Sequence, residues 1–337
     1  MNRFAPRLFE RLRQIIMVLV VLLLVGALYQ AFASARDRRA IIPPGEMVEV
    51  NGAMMHLVCK GSGSPTVILE AGLDGSWIDW TFVHGDLAQQ TRTCAYDRLG
   101  SGWSDLAPEP QSSDQVAATL NQLLTTADIA PPYILVGYSV GGVRVRSFYE
   151  QFPDKVNGMV LVDSSHEQQR LRYPEWVAEE NAAFITQLQF CRVVAPFGLL
   201  RLVGFANGLV EEFDVSEEIA TQFVAMFNQT QTCTGSVREH RAVDRDLQQS
   251  EGPHSLGDLP LVVLTRGVGE AEELAGEVPE SFISDLEELD AMWDEMQLEL
   301  VALSTNSMHL IAEESGHIIQ ATQPELVVDA VKMLLAD

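Results

Sequence analysis

The chain has 337 residues, with 22 Lys and Arg against 47 Asp and Glu, and a formal net charge of −25. A nucleic-acid partner requires a basic footprint, and this acidity excludes one. Hydrophobic residues make up 47% of the chain, which excludes a wholly disordered polymer and leaves one or two globular domains with a large core.

The charge is split along the chain. Residues 1–39 carry seven Arg and two acids (Glu10 and Asp37), a net of +5, and the remainder carries −30. Ile15 to Tyr29 contains no charged side chain, and with Gln30 to Ala33 the run is long enough to cross a bilayer as a helix. Arg3, Arg7, Arg11 and Arg13 precede it, and Arg36, Arg38 and Arg39 follow it. The stronger net positive bias on the N-terminal side predicts an N-terminus inside and the bulk of the chain outside. An uncleaved anchor is the favoured reading, because the run exceeds the apolar region of a signal peptide. A cleaved signal peptide is the alternative, which would give a secreted protein, since Ala33-Ser34-Ala35 resembles a cleavage site. Pro43-Pro44-Gly45 reads as a short linker.

Beyond the linker, apolar runs alternate with helical patterns. Met47–Val50 and Met54–Cys59 flank Asn51-Gly52, a hairpin signal. Strands follow at Thr66–Glu70, Thr93–Tyr96 and Tyr133–Tyr138, with a helical stripe over Gln115–Leu124 between the last two. Val143–Gln151 reads as a helix and Gly158–Asp163 as a strand. Residues 167–254 break this rhythm and read as an inserted, mostly helical lid, with Phe184, Phe190, Phe197, Phe205, Phe213, Phe223 and Phe227 as an aromatic surface. Strands resume at Pro260–Thr265 and Met308–Ala312, around an acidic stretch at 270–299 that reads as a solvated face. A helix over Pro324–Leu335 closes the chain. The pattern predicts an α/β protein: a mostly parallel eight-stranded sheet with helices on both faces. The expected division is 1–40 (N-terminal hydrophobic helix), 41–166 (first part of the core), 167–254 (lid) and 255–337 (second part of the core).

Gly137-Tyr138-Ser139-Val140-Gly141 matches G-x-S-x-G between a predicted strand and a predicted helix. Ser139 is the candidate nucleophile, and a serine hydroxyl needs a base. Of seven His, His317 alone follows the last strand and precedes the last helix, where the order Ser…acid…His places that base. His56, His84, His166, His240, His254 and His309 lack this context, although His166 follows closely on the strand ending at Asp163. Two acids compete to orient the imidazole. Asp163 ends a strand and is favoured, and Glu270 follows the next strand and is the alternative. Backbone donors for an oxyanion are expected from Val140, after the nucleophile, and from Leu73 in the loop Ala71–Gly75. No metal constellation, Walker loop or dinucleotide fingerprint stands in the sequence, so no cofactor is expected.

EAGLDGSW (70–77), YDRLGSGWSD (96–105), GYSVGG (137–142), VLVDSS (160–165) and SGHIIQATQPELVVDA (315–330) together resemble the α/β-hydrolase fold family. The resemblance covers about 46–166 and 255–337, and 167–250 matches it only as a lid position. Members usually carry His-Gly where this chain has Ala71-Gly72; the donor there is a backbone group, so the change leaves it intact. The resemblance implies a Ser–His–acid hydrolase in which YDRLGSGWSD shapes core and pocket floor, so Asp97, Arg98 and Ser104 stay outside the catalytic set. It also implies the strand order 1-2-4-3-5-6-7-8. Cys59 and Cys94 would then lie on neighbouring strands within disulfide range, and Cys191 with Cys233 would staple the lid; four free thiols remain the alternative.

The expected activity is cleavage of an ester-like bond through an acyl-enzyme on a small, neutral or hydrophobic substrate, because the −30 domain repels anions. Peptidase, lactonase, carbon–carbon hydrolase and cofactor-free peroxidase chemistry could share the same groups, whereas dehalogenases and epoxide hydrolases use Asp in place of the Ser. A membrane-tethered, non-catalytic ligand receptor is the alternative of a different class.

Overall fold

The computed structural model describes residues 4–210, 215–249 and 255–336. Arg3, Phe213 and His254 lie outside the described residues, as does the side chain of Arg7. Contacts divide the chain into two units, one of 1–43 with 186–234 and one of 44–185 with 235–337.

The larger unit is built on one eight-stranded sheet. Its strands are β1 (Glu46–Val50), β2 (Ala53–Lys60), β3 (Thr66–Glu70), β4 (Thr93–Tyr96), β5 (Tyr133–Tyr138), β6 (Val156–Val162), β7 (Leu261–Arg266) and β8 (Ser307–Ala312). They lie in the order β1-β2-β4-β3-β5-β6-β7-β8. The sheet is mixed: β1 and β4 run antiparallel to β2, and every other pairing is parallel. Every residue of β3, β4, β5 and β7 is buried, because helices cover both faces. That is why these strands read as unbroken apolar runs rather than as an alternation. Strand residues still alternate between faces. Ile68, Leu135, Leu161 and Val263 join a core cluster with Leu120 and Leu124 of the helix Ser113–Thr126 and Phe148 of the helix Val140–Gln151. The closing helix Pro324–Ala336 packs on β6, β7 and the helix Thr81–Leu87.

Local signals set several boundaries. Asn51 (φ 54°) and Gly52 (φ 81°) both take left-handed backbone, as a two-residue hairpin turn of the Asn-Gly type requires. Ser112 caps the next helix by accepting from Gln115 N while the Gln115 side chain accepts from Ser112 N. β6 starts two residues earlier than the sequence pattern suggests and ends at Val162, which leaves Asp163 just beyond the sheet edge.

In the smaller unit, the helix Phe4–Ala40 is the long apolar element. Its span Phe9–Ala40 is long and apolar enough to cross a membrane, and large side chains from Ile15 to Val25 are exposed. The Gln30, Ser34 and Asp37 side chains are instead buried against 186–234: Gln30 Nε2 donates to Asn228 O at 2.7 Å, and Arg201 Nη1 pairs with Asp37 Oδ2 at 2.5 Å.

Both expected cysteine pairs are bonded, Cys59 with Cys94 and Cys191 with Cys233. Cys59 and Cys94 face each other directly in the β2–β4 register, with Cα atoms 4.0 Å apart. This lies just below the usual disulfide range of about 4.4–6.8 Å and close to the separation of about 4.5 Å for directly opposed antiparallel residues. Closing the 35-residue interval restricts the unfolded chain. The double substitution Cys59→Ala/Cys94→Ala is therefore expected to lower stability by about 3–4 kcal/mol, read from urea unfolding under non-reducing conditions. An unchanged midpoint would contradict this.

Candidate active site

The chain leaves β5 at Tyr138 and enters the helix Val140–Gln151 through a single residue, Ser139. Ser139 has φ 54° and ψ −127°, a conformation sparsely populated by any residue with a Cβ. Two glycines of the motif make room for the turn. A Cβ on Gly137 would lie 2.7 Å from Gly142 Cα, and one on Gly141 would lie 2.5 Å from the Glu70 carbonyl oxygen at the end of β3. Ser139 is fixed on its other side as well: its N–H donates to Val162 O at 3.1 Å, and its carbonyl accepts from Ser165 N at 3.0 Å. Val140 is the first residue of the helix, so its N–H belongs to the set without an intrahelical acceptor, at the positive end of the helix dipole.

His317 stands beside this turn. Its ring centroid is 4.9 Å from that of Tyr138, and its Nδ1 is 2.5 Å from Asp163 Oδ2. Asp163 is fully buried and has left-handed backbone (φ 39°). Its Oδ1 accepts from Trp293 Nε1 at 2.9 Å and from Arg266 N at 3.1 Å, and Arg266 Nη1 lies 3.7 Å from Oδ2. A buried carboxylate with these partners is an acceptor only. It places the proton of a neutral imidazole on Nδ1 and leaves Nε2 with a lone pair.

Glu270 takes a different position. Its side chain is about half exposed and lies 3.5 Å from Arg266 Nη1, and its N–H donates to Asp290 Oδ1 at 3.0 Å. The remaining described histidines have other partners. His56 is buried between Asp97 (2.8 Å) and the Pro44 carbonyl (2.6 Å). His84 contacts Thr93 O, His166 contacts Glu299, and His309 contacts Thr265 Oγ1.

The loop Ala71–Gly75 lies against the turn: a Cβ on Gly72 would be 3.3 Å from Ser139 Cβ. Arg98 holds this loop from below. Its Nη1 donates to Ala71 O at 3.0 Å and its Nη2 to Gly72 O at 2.7 Å. The same guanidinium pairs with Glu70 at 2.8 Å and with Glu239 at 2.7 Å. Arg144 pairs with Glu239 at 2.6 Å, and Tyr96 Oη donates to Glu70. Burial alone would raise the Glu239 carboxyl; the two guanidiniums overcome it and hold the group below its ordinary range. From the helix Thr232–Gln249, Glu239 also accepts from Asp74 N at 3.2 Å, and His240 Nε2 meets Asp74 Oδ2 at 2.7 Å. Val243 and Leu247 of that helix pack with Val140 and Val143, and Leu73 packs against this apolar group.

Sequence reasoning did not anticipate Trp293, Arg266, Glu239 or His240 at the site. Trp293 had a legible signal: Leu286, Leu289, Trp293, Met296 and Leu300 recur at helical spacing and are all buried. The described lid phenylalanines serve several ends. Phe184 packs on His240 in one unit, whereas Phe205, Phe223 and Phe227 pack together in the other. Among the described residues, no group of three or more His, Cys, Asp or Glu could hold a metal ion.

Asp79 lies under the same loop; its Oδ2 would be 2.2 Å from a Cβ on Gly75. Burial raises its carboxyl from 3.8 to about 7, despite the opposing Ser76 N–H and Arg98. The folded state thus favours the protonated acid, and this stabilisation is complete below the unfolded value and lost as pH rises through about 7. Asp79→Asn is expected to flatten the decline of the urea midpoint between about pH 4 and pH 8. Parallel wild-type and variant profiles would contradict it.

Known proteins place these features. The α/β-hydrolase fold family matches residues 65–197. An AB hydrolase superfamily protein of Gibberella zeae is 26% identical over 290 residues, 80% of this chain and 86% of that one. A probable transporter of Hormonema carpetanum is 26% identical over 282 residues, 81% of this chain, which spans only 39% of that protein's length. A thermophilic esterase from Thermogutta terrifontis superposes with a TM-score of 0.60 at 18% identity, covering 86% of this chain and 97% of the esterase. With its eight-stranded sheet and strand order, the chain has the α/β-hydrolase fold.

Proposed function

We propose that the protein is a serine hydrolase that cleaves a neutral, apolar ester through an acyl-enzyme, with Ser139 as nucleophile, His317 as base and Asp163 as the orienting acid. The observation that carries this reading is the buried Asp163 carboxylate 2.5 Å from His317 Nδ1, beside the turn that presents Ser139.

In this mechanism, Nε2 of His317 accepts the Ser139 hydroxyl proton as Oγ attacks the carbonyl carbon. The N–H groups of Val140 and Leu73 stabilise the oxyanion, a contribution of about 3–4 kcal/mol for one such donor. Collapse releases the alcohol, which takes the proton from His317. Water, deprotonated by the same imidazole, then attacks the acyl-enzyme; the Oγ–acyl bond breaks, the carboxylic acid leaves, and Ser139 Oγ takes back its proton from His317. The apolar group of Leu73, Val140, Val143, Val243 and Leu247 favours a hydrocarbon acyl or alkyl group near the reacting carbon.

The N-terminal helix is read as an uncleaved anchor, with the catalytic part on the extracytoplasmic side. Two disulfides support an oxidising compartment. Ala33 and Ser34 of the cleavage-like triplet are buried within a continuous helix, which supports retention.

A fluorophosphonate probe tests the chemistry: it should label the wild type and fail to label Ser139→Ala. Asp163→Asn should lower kcat by about 10⁴ while leaving the fold intact, since the amide favours the wrong imidazole tautomer. Glu270→Gln should retain turnover within about threefold, as expected for a half-exposed ion pair. Labelling that persists in Ser139→Ala, or a large loss confined to Glu270→Gln, would contradict the assignment.

A further inference from the structure

Residues 190–205 read FCRVVAPFGLLRLVGF: two Arg, no acid and a dense apolar content, in a chain of net charge −25. Phe190, Val193, Leu199, Leu202, Val203 and Phe205 are all exposed, Leu202 and Val203 at 75% and 73%. Six large apolar side chains exposed within such a short stretch do not suit a surface that faces water on every side. A chain that needed solubility here would place acids or lysines among them.

The position of this stretch identifies what covers it. It belongs to the same unit as the N-terminal helix and is fastened to that helix at one level. Gly26 allows the contact: a Cβ there would lie 2.5 Å from the Phe197 carbonyl oxygen. Gly198 packs on Tyr29, Gln30 and Arg201 hydrogen bond, and Arg201 pairs with Asp37. Below that level, residues 9–25 of the helix have no buried side chain. Seventeen helical residues rise about 25 Å, most of a hydrocarbon core of about 30 Å. The stretch 190–205 therefore meets the helix where an apolar span would leave the bilayer.

We propose that residues 190–205 form a second membrane contact, a monotopic surface that inserts Leu199, Leu202 and Val203 into the lipid interface beside the spanning helix. The partner is the bilayer itself. Arg192 is exposed at the edge of the stretch, and Arg36, Arg38 and Arg39 lie in the last turns of the helix, beyond its apolar run, a charge pattern that suits lipid phosphates. The inference rests on the anchor reading of the N-terminal helix and is independent of the ester chemistry.

The test uses the full chain in phosphatidylcholine–phosphatidylglycerol vesicles containing nitroxide-labelled lipid. The described cysteines are all disulfide-bonded, so a single added cysteine takes an environment-sensitive fluorophore cleanly. Two variants are compared: Leu19→Cys on the bare helix and Leu202→Cys on the stretch. The Leu202 label should lose more than about half its emission to a nitroxide near the headgroups, and less to one deep in the acyl chains, as expected for insertion of about 5–10 Å. The Leu19 label should be quenched by the deep nitroxide. Quenching at Leu19 with none at Leu202 overturns this inference and leaves the anchor standing. A blue-shifted, unquenched Leu202 label also overturns it, and assigns the surface to a second copy of the chain. No quenching at Leu19 removes the anchor reading, and the inference falls with it.

Discussion

The turn at Ser139 is the constraint around which the site is arranged. A left-handed serine costs about 1–3 kcal/mol in local strain. The surrounding sheet holds it there: β3 and β6 flank β5 in parallel, the β3 end packs against Gly141, and Val162 and Ser165 hydrogen bond to Ser139 itself. Relaxing the turn would break these contacts at once. The parallel strands β3, β5 and β6, packed between helices, supply the rigidity, and the turn presents one hydroxyl at their carboxyl edge.

Two buried polar clusters support that edge from opposite sides. On one, Asp163 is fixed by Trp293, the Arg266 backbone and the Arg266 guanidinium, and it meets His317. On the other, Arg98 and Arg144 neutralise Glu70 and Glu239 beneath the loop that carries Leu73. Buried ion pairs of this kind contribute little net stability over well-packed apolar residues, whereas removing one partner costs several kcal/mol. Their value here is positional. The Arg98 guanidinium grips two successive carbonyls of the loop, which fixes where the neighbouring N–H groups point. Through Glu239 and His240, the same loop is tied to a helix some 165 residues further along the chain.

Much of this was legible in the sequence, for physical reasons. Fully buried strands read as short apolar runs. A serine set between glycines at a strand–helix junction, as Ser139 is, marks a turn too tight for larger neighbours. The strand order that the resemblance implied is the order observed, and with it Cys59 falls opposite Cys94. The carboxylate that meets His317 was harder to read because Asp163 and Glu270 both follow strands. The difference lies in burial: Asp163 directly follows β6 and is enclosed, whereas Glu270 opens a short helix in solvent. Trp293 was masked by the acidic residues of its own helix, although its apolar neighbours recur at helical spacing. Glu239 and His240 left no local trace, because their contacts join distant parts of the chain. The N-terminal helix was legible as an apolar span; the buried face made by Gln30, Ser34 and Asp37 was not read, although their spacing places them on one side.

In the proposed mechanism one turn, one imidazole and two backbone amides converge on a single reacting atom. A crystal structure of the protein trapped with an alkyl phosphonate tests that convergence most directly. The expected result is phosphorus bonded to Ser139 Oγ, with its oxygen about 2.7–3.1 Å from both Val140 N and Leu73 N. Phosphorus on another residue, or an oxygen turned away from both amides, would contradict it.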